Sequence, residues 1–201
     1  MFINVKKGTV MSYYNYKPEK NIVADYVVKT VADVLFAVSF ALLICIFFCN
    51  TTTVSGTSMY PTLKNDNTCL IDVLSYDISS PNRYDVIAFK SDDALGYTFK
   101  RVYGLPGETV KIEGNTIYIT TVSGEVVEAS TEYFNDYEGD ITAGLAASGV
   151  TLSEDEYFVL GDNLSLSEDS RFSSVGNVNI DDIYGKAWMI ISPFSDLAIV
   201  K

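Results

Sequence analysis

Gly96–Leu105 reads GYTFKRVYGL and runs on into Pro106-Gly107-Glu108. Aromatic and β-branched residues fill the run, and Gly104-Leu105-Pro106-Gly107 closes it as a turn, so it reads as a β-strand. In an extended strand Thr98, Lys100 and Val102 point to one side and Phe99, Arg101 and Tyr103 to the other. The two adjacent cations therefore do different work. Arg101 stays protonated at any relevant pH. Lys100, flanked on its own face by Thr98 and Val102 within a β core, is where burial lowers an amine's pKa from its usual value of about 10.4.

Short runs of the same kind surround this one. Thr68–Tyr76 (TCLIDVLSY) and Tyr84–Lys90 (YDVIAFK) precede it, with turn signals at Ser79-Ser80-Pro81-Asn82 and Asp92-Asp93. Thr109–Glu113 and Thr116–Thr121 read as a hairpin through Glu113-Gly114-Asn115. Glu156–Leu160, Ile183–Ile191 and Leu197–Val200 complete a mainly β set. Residues 122–155 differ: they are acidic and rich in Gly, Ser and Ala, with one short helix expected near 141–147. Together with the preceding hairpin they form an expected inserted lobe at about 112–155.

The chain has 201 residues, 13% of them aromatic, and a net charge of −12. The charge is divided unevenly. Residues 1–49 carry five Lys against Glu19, Asp25 and Asp33, and residues 50–201 carry a net of −14. Acidity of this kind argues against nucleic-acid binding and suits a solvated surface. Cys45, Cys49 and Cys69 have no framework spacing, so a disulfide scaffold is not expected. Without histidine or a Cys-x-x-Cys pair, neither a metal nor another cofactor is expected.

Val31–Cys49 reads VADVLFAVSFALLICIFFC, uncharged from Val34 onward. At about 1.5 Å per residue its helix spans roughly 27 Å, a bilayer core. Lys6, Lys7, Lys17, Lys20 and Lys29 precede it, which puts the N-terminus in the cytoplasm. A cleaved signal peptide fits less well, because Asn50-Thr51-Thr52-Thr53 follows rather than a small-x-small site. A buried core helix fits less well too, given apolarity on every face. The expected layout is a cytoplasmic segment at 1–30, an anchor at 31–49, and a domain at 50–201 outside the cell membrane.

Just beyond the anchor stands SGTSMYPTL, Ser55–Leu63. A serine hydroxyl is a weak nucleophile until a base takes its proton, and this chain has no imidazole to do so. Lysine is the best remaining base, and Ser-Lys pairs are a known variant of the triad. Ser58 lacks the second glycine of the α/β-hydrolase elbow, and no Ser-x-x-Lys occurs anywhere in the chain. A link of nine residues reaches roughly 30 Å, so Ser58 is expected to work near the outer membrane surface. Gly56 allows close backbone approach of a peptide. Met59, Tyr60 and Leu63 are expected to offer apolar surface to lipid or substrate.

A third segment, Tyr157–Val178, reads YFVLGDNLSLSEDSRFSSVGNV. The three segments, in this order behind an inward-facing anchor, resemble the serine, lysine and Gly-Asp-Asn…Ser-x-Asp-Ser-Arg boxes of the bacterial type I signal peptidases. The resemblance implies a membrane-bound serine endopeptidase with an antiparallel β catalytic domain, acting on preproteins with small residues at −1 and −3. It implies that Ser58 is the nucleophile, with its backbone N–H an oxyanion donor, and that Lys100 is the base. Ser167 would orient the Lys100 amine, Asp169 and Arg171 would pair, and Asp162 would meet Arg101 while shaping the turn with Asn163. Gly56, Met59, Asp85, Val86, Ile87 and Phe99 would line the peptide cleft, with strands 84–89 and 96–103 receiving the substrate as an added strand. The bilayer and preproteins are the expected partners, and a monomer is expected.

Two positions depart from the family pattern. Leu164 stands where many members have Arg. Gly56 stands where some members have an oxyanion-stabilising serine, as in the Gram-positive branch, and no second donor is identified. Two rival readings carry different chemistry. A self-cleaving stress-response repressor shares the Ser-Lys pair but needs a DNA-binding domain. An inactive accessory factor for surface-protein or pilus assembly would not need Ser58 and Lys100 intact.

Overall fold

The computed structural model describes residues 22–48, 50–90, 96–134 and 140–201, in two units that divide after Leu43. The first unit holds most of helix α1, Ile22–Phe48. Its Ile22–Leu43 portion has a mean hydropathy of 1.8 and is long and apolar enough to cross a membrane. The helix starts before the apolar run does and takes in Asp25, Lys29 and Asp33 near its beginning. Cys49, the last residue of the expected anchor, lies outside the described residues, as do Lys6, Lys7, Lys17 and Lys20.

The second unit is mainly β and wholly antiparallel in its pairings. Its strands are β1 (Asn50–Thr53), β2 (Thr68–Asp72), β3 (Val86–Lys90), β4 (Tyr97–Gly104), β5 (Thr109–Glu113), β6 (Thr116–Thr120), β7 (Val126–Glu128), β8 (Val150–Thr151), β9 (Glu156–Leu160), β10 (Val178–Asn179), β11 (Ile183–Ser192) and β12 (Ala198–Ile199). The larger sheet runs β1-β2-β11-β3-β4-β9-β10, with β12 paired to β11. The smaller sheet runs β7-β6-β5-β8 and is built from the chain between β4 and β9. Its hairpin is the one expected from sequence: Glu113 pairs with Thr116 across Gly114-Asn115, and Gly114 takes φ +59. A glycine with positive φ at the first position of a two-residue loop suits strands with right-handed twist. The short helix near 141–147 is a 3₁₀ turn, Gly144–Ala147.

One expected strand is shorter than its sequence suggests. Thr68–Tyr76 is strand only to Asp72, and Leu74–Ile78 forms helix α2. The Asp72 carboxylate accepts from both the N–H (3.0 Å) and the Oγ (2.5 Å) of Ser75, which turns the chain out of the sheet. Likewise Tyr84 and Asp85 precede β3 rather than belonging to it, and Tyr84 has φ +71.

Burial explains which strands can carry a site. The smaller sheet is one-sided: Val110, Ile112, Ile117 and Ile119 are buried, while Thr109, Lys111 and Glu113 alternate outward. That apolar face packs on Tyr103, Phe158 and Leu160 of β4 and β9. The middle of the larger sheet is covered on both faces. Phe99 joins a cluster with Met59, Leu63 and Cys69, whereas Val102 joins one with Ile87, Phe89 and Val159. The side-to-side alternation read for Gly96–Leu105 is therefore present, but both sides are interior.

The two sheets approach each other closely at Gly104. A Cβ there would stand 2.6 Å from Val110 Cγ2, 2.7 Å from Leu152 Cδ1 and 2.8 Å from Phe158 Cβ. Gly104→Ala is expected to lower stability by about 1–3 kcal/mol through overpacking. A reduced denaturant midpoint for the detergent-solubilised chain checks this; an unchanged midpoint would refute the close contact.

Candidate active site

The loop from β1 to β2 holds Ser58, and its ends are tied together. Val54 N–H donates to Asn67 O (2.8 Å), Asp66 N–H to Val54 O (2.9 Å), and Gly56 N–H to the Asn65 side-chain oxygen (2.8 Å). Met59 and Leu63 point inward and are almost fully buried, with Leu63 N–H donating to Met59 O across a single turn (2.9 Å). They are anchors of the loop. The expectation that they face lipid or substrate is corrected by this packing; of the three apolar residues only Tyr60 is exposed. With its neighbour Met59 driven into the core, Ser58 is left half-buried at the surface of the unit.

Lys100 approaches from β4. Its side chain is interior, at 2% exposure, and Nζ donates to Ser58 Oγ at 2.9 Å and to Phe99 O at 3.2 Å. Burial lowers its pKa from 10.5 to about 8. Asp169 opposes that shift and Arg171 favours it, while Asp162 and Glu168 oppose it more weakly. A neutral amine at this distance can accept the serine proton, because its lone pair and the hydroxyl hydrogen share one line of contact.

Both interior carboxylates near Lys100 already have cations. Arg171 binds Asp169 through Nε to Oδ1 (2.7 Å) and Nη2 to Oδ2 (2.9 Å). Arg101 binds Asp162 through Nε to Oδ1 (2.8 Å) and Nη2 to Oδ2 (2.6 Å). All four residues are buried. Two-pronged pairing of this kind spreads the charge over fixed partners and leaves less carboxylate field at the lysine. Arg101 also lies over the Tyr133 ring, 3.9 Å from its centre, and donates through Nη1 to Tyr84 O and Lys201 O.

The third segment meets the Ser58 loop directly. Asn163 N–H donates to Ser58 O (2.9 Å), and Asn163 Nδ2 to Thr57 O (3.3 Å). Thr62 Oγ1 donates to Asp162 Oδ2 (2.5 Å) and accepts from Arg101 Nη2 (3.3 Å). Gly161 lets the third segment and the Ser58 loop touch: a Cβ there would lie 2.2 Å from Ser167 Oγ and 2.5 Å from Ser58 O.

Several expected roles are redistributed. Ser167 comes to the site, but its buried hydroxyl has no hydrogen-bond partner, and Lys100 Nζ bonds to Ser58 and Phe99 instead. Ser167 Oγ lies close against Gly161, where any side chain would collide with it. Asp85 is not a cleft residue. It accepts from Lys186 Nζ (2.5 Å), Tyr76 OH (3.0 Å) and Asn82 N–H (3.0 Å). Val86, Ile87 and Phe99 are core, at 2%, 0% and 3% exposure. Strand β3 is paired on one side to β11 and on the other to β4, so it has no edge for an added strand. Open edges remain elsewhere among the described residues. Pairing of β9 to β4 begins only at Arg101, leaving Tyr97–Phe99 uncovered on that side, and β1 is paired on one side only. Gly56, exposed and at φ +91, sits in the chain just beyond β1. Among the described residues, no hydrogen bond uses the Ser58 N–H.

Thr62 and Tyr133 are the residues sequence reasoning passed over as support, and Asn163, expected only to shape the turn, also bonds the Ser58 loop. Thr62 lies inside the Ser55–Leu63 segment, and a hydroxyl amid apolar anchors was the signal available. Tyr133 stands in the Gly-, Ser- and acid-rich stretch and has no comparable local sign.

Residues 27–192 match the family described as signal peptidase, peptidase S26. A signal peptidase I of Bacillus caldolyticus is 35% identical over 154 residues, 72% of this chain and 80% of that protein. One of Bacillus licheniformis is 31% identical over 172 residues, 83% and 89% respectively. A solved signal peptidase I from Enterococcus faecalis is 35% identical, covering 54% of this chain and 97% of that one, with a TM-score of 0.43.

Removing one half of a buried ion pair strands the other charge, at a cost of about 3–5 kcal/mol. Asp162→Ala is therefore expected to destabilise the protein by about that amount, since Arg101 is fully buried. Urea unfolding of the two proteins tests it; a loss below about 1 kcal/mol would mean that Arg101 is solvated in solution.

Proposed function

The chain belongs to the signal peptidase family, peptidase S26, and on that premise we propose that it is a membrane-anchored enzyme that cleaves signal peptides with Ser58 as nucleophile and Lys100 as general base. It is a hydrolase of the serine endopeptidase kind, and its family removes signal peptides from preproteins. The observation that carries the catalytic assignment is the 2.9 Å contact between Ser58 Oγ and an interior Lys100 amine.

The chemistry follows from that contact. Neutral Lys100 takes the Ser58 proton as Oγ attacks the scissile carbonyl carbon. The resulting oxyanion is met by the Ser58 backbone N–H, which has no other described partner. Collapse breaks the carbon–nitrogen bond, the lysine ammonium returns its proton to the leaving amine, and an ester to Ser58 remains. Lys100 then takes a proton from water, the hydroxide displaces the ester, and Ser58 recovers its hydrogen. Lysine suits both steps because its amine switches between neutral and charged states while Phe99 O and Ser58 Oγ hold it in place.

An extended substrate would lie against the uncovered edge of β4 at Tyr97–Phe99, with Gly56 giving it room on the other side. Preference for small residues at −1 and −3 is part of the proposal. So is topology: the lysines ahead of the apolar helix favour a cytoplasmic N-terminus and an outward-facing domain.

Below the Lys100 pKa the base is protonated and inert; above it, neutral. With that pKa near 8, cleavage of a preprotein with a small-x-small site is expected to rise with pH through about 8 and then level. Lys100→Ala is expected to lower kcat by at least about 10²–10⁴-fold, and Ser58→Ala by more. Initial rates between pH 6 and 10 check both. Unimpaired cleavage by either variant, or a rate independent of pH in this range, would overturn the Ser/Lys assignment.

A further inference from the structure

A buried guanidinium needs partners for donors on every side. Arg171 gives Nε and Nη2 to Asp169, and Nη2 also reaches Leu164 O (2.9 Å) and Ser167 O (3.3 Å). Its remaining nitrogen, Nη1, has Thr142 O at 3.4 Å. Thr142 does not belong to the segment that carries Asp169 and Arg171. It lies in the chain of the smaller sheet, between β7 and β8. The residues after it close on Arg171 from the backbone side, with Leu145 N–H donating to Arg171 O at 2.8 Å.

Gly144 makes this seat possible. It has φ +53, and a Cβ there would stand 2.1 Å from Arg171 O, 2.9 Å from Arg171 C and 3.2 Å from Arg171 Cβ. The nearest two obstacles are backbone atoms, which cannot swing aside. Gly149, at the end of the same turn, provides the contrast. It has φ +86, yet a Cβ there would meet only Thr109 Cγ2 at 3.5 Å. Gly149 is required by backbone conformation alone, and Gly144 by approach to Arg171 as well.

We propose that the 142–146 turn of the smaller sheet is a positioning element for the base, acting on Lys100 through Arg171, with Gly144 the residue that seats it. The proposal rests on Lys100 as the base. Charged groups face Lys100 from the third segment, namely Asp162, Glu168, Asp169 and Arg171, with Arg101 beside it on β4 holding Asp162. The nucleophile loop offers the uncharged Ser58, and β3 the apolar Ile87 opposite Lys100. Within this set Asp169 favours the ammonium and Arg171 opposes it. The turn fixes Arg171 from both its guanidinium and its carbonyl. Pushing the turn away loosens Arg171 from Asp169, frees carboxylate field toward Lys100, and keeps the amine protonated to higher pH.

The test uses the full chain in detergent, as wild type, Gly144→Ala and Gly149→Ala. Two readouts are taken: kcat and KM on a preprotein across pH, and the titration of Lys100 followed by NMR on ¹³C-lysine-labelled protein, assigned with Lys100→Arg. For Gly144→Ala the alkaline limb and the Lys100 titration are expected to rise together by about one pH unit, with kcat at pH 7 falling about tenfold and KM unchanged. Gly149→Ala, strained but clear of Arg171, is expected to leave both midpoints where they were. Should Gly144→Ala fail to fold, Leu145→Pro, which removes the single N–H donated to Arg171 O, is read in the same way. Unmoved midpoints in the Arg171-facing variant, or an equal shift in Gly149→Ala, would overturn the proposal. A wild type that cleaves nothing would instead sink the protease reading, and the NMR titration would still decide this one.

Discussion

A lysine can serve as a base near neutral pH only where water is kept off its amine and the carboxylates around it are already claimed. On the proposed Ser/Lys reading, the surroundings of Lys100 meet that requirement. Lys100 sits on β4, whose two faces are both covered. Desolvation of the ammonium is the largest influence on it. Two interior aspartates nearby would undo that influence, and each is gripped at two points by its own arginine. A solvated lysine on the same strand would remain charged, and Ser58 would remain an ordinary alcohol.

The larger sheet and the loops divide the work of holding the pair. Strand β4 fixes where Lys100 stands, through pairing with β3 from Tyr97 to Arg101 and with β9 from Arg101 onward. The Ser58 loop is not part of the sheet and must be held separately. Met59 and Leu63 pin it from below by burial, and Asn163 and Thr62 tie it to the third segment by hydrogen bonds. Thr62 joins the Arg101–Asp162 pair, so one ion pair serves both the charge around Lys100 and the placement of Ser58. The smaller sheet touches the same machinery by another route, through Thr142 and Leu145 on Arg171.

Local chemistry was the legible part. Absence of histidine left lysine as the candidate base for the proposed nucleophile Ser58, and strand alternation put Lys100 and Arg101 on opposite faces. The hairpin at Gly114 was readable because a two-residue loop with glycine has few geometries. Asp85, Val86, Ile87 and Phe99 were misread as cleft residues because an apolar strand beside the one bearing Lys100 looks the same from sequence whether it is an edge or a centre. Strand order decides that, and it put β3 between β11 and β4. Met59 and Leu63 were misread for a similar reason: apolar residues near an anchor can face lipid or core, and only the path of the loop chooses. Ser167 lies beside Gly161 and Ser58 O, but its buried hydroxyl has no hydrogen-bond partner, which depends on tertiary packing that no local stretch encodes.

What the amino-acid order determined by itself was the mainly β class, the apolar helix, the order of the three segments, and which residue types could do proton transfer without imidazole. Those follow from periodicity, composition and intrinsic acidity, which act over a few neighbouring residues. The 2.9 Å contact of Lys100 with Ser58, the dryness that lowers the amine's pKa, and the pairing of Arg101 with Asp162 across 61 positions were decided only by tertiary structure. Desolvation depends on everything that packs around a group, and no local stretch of chain holds that information.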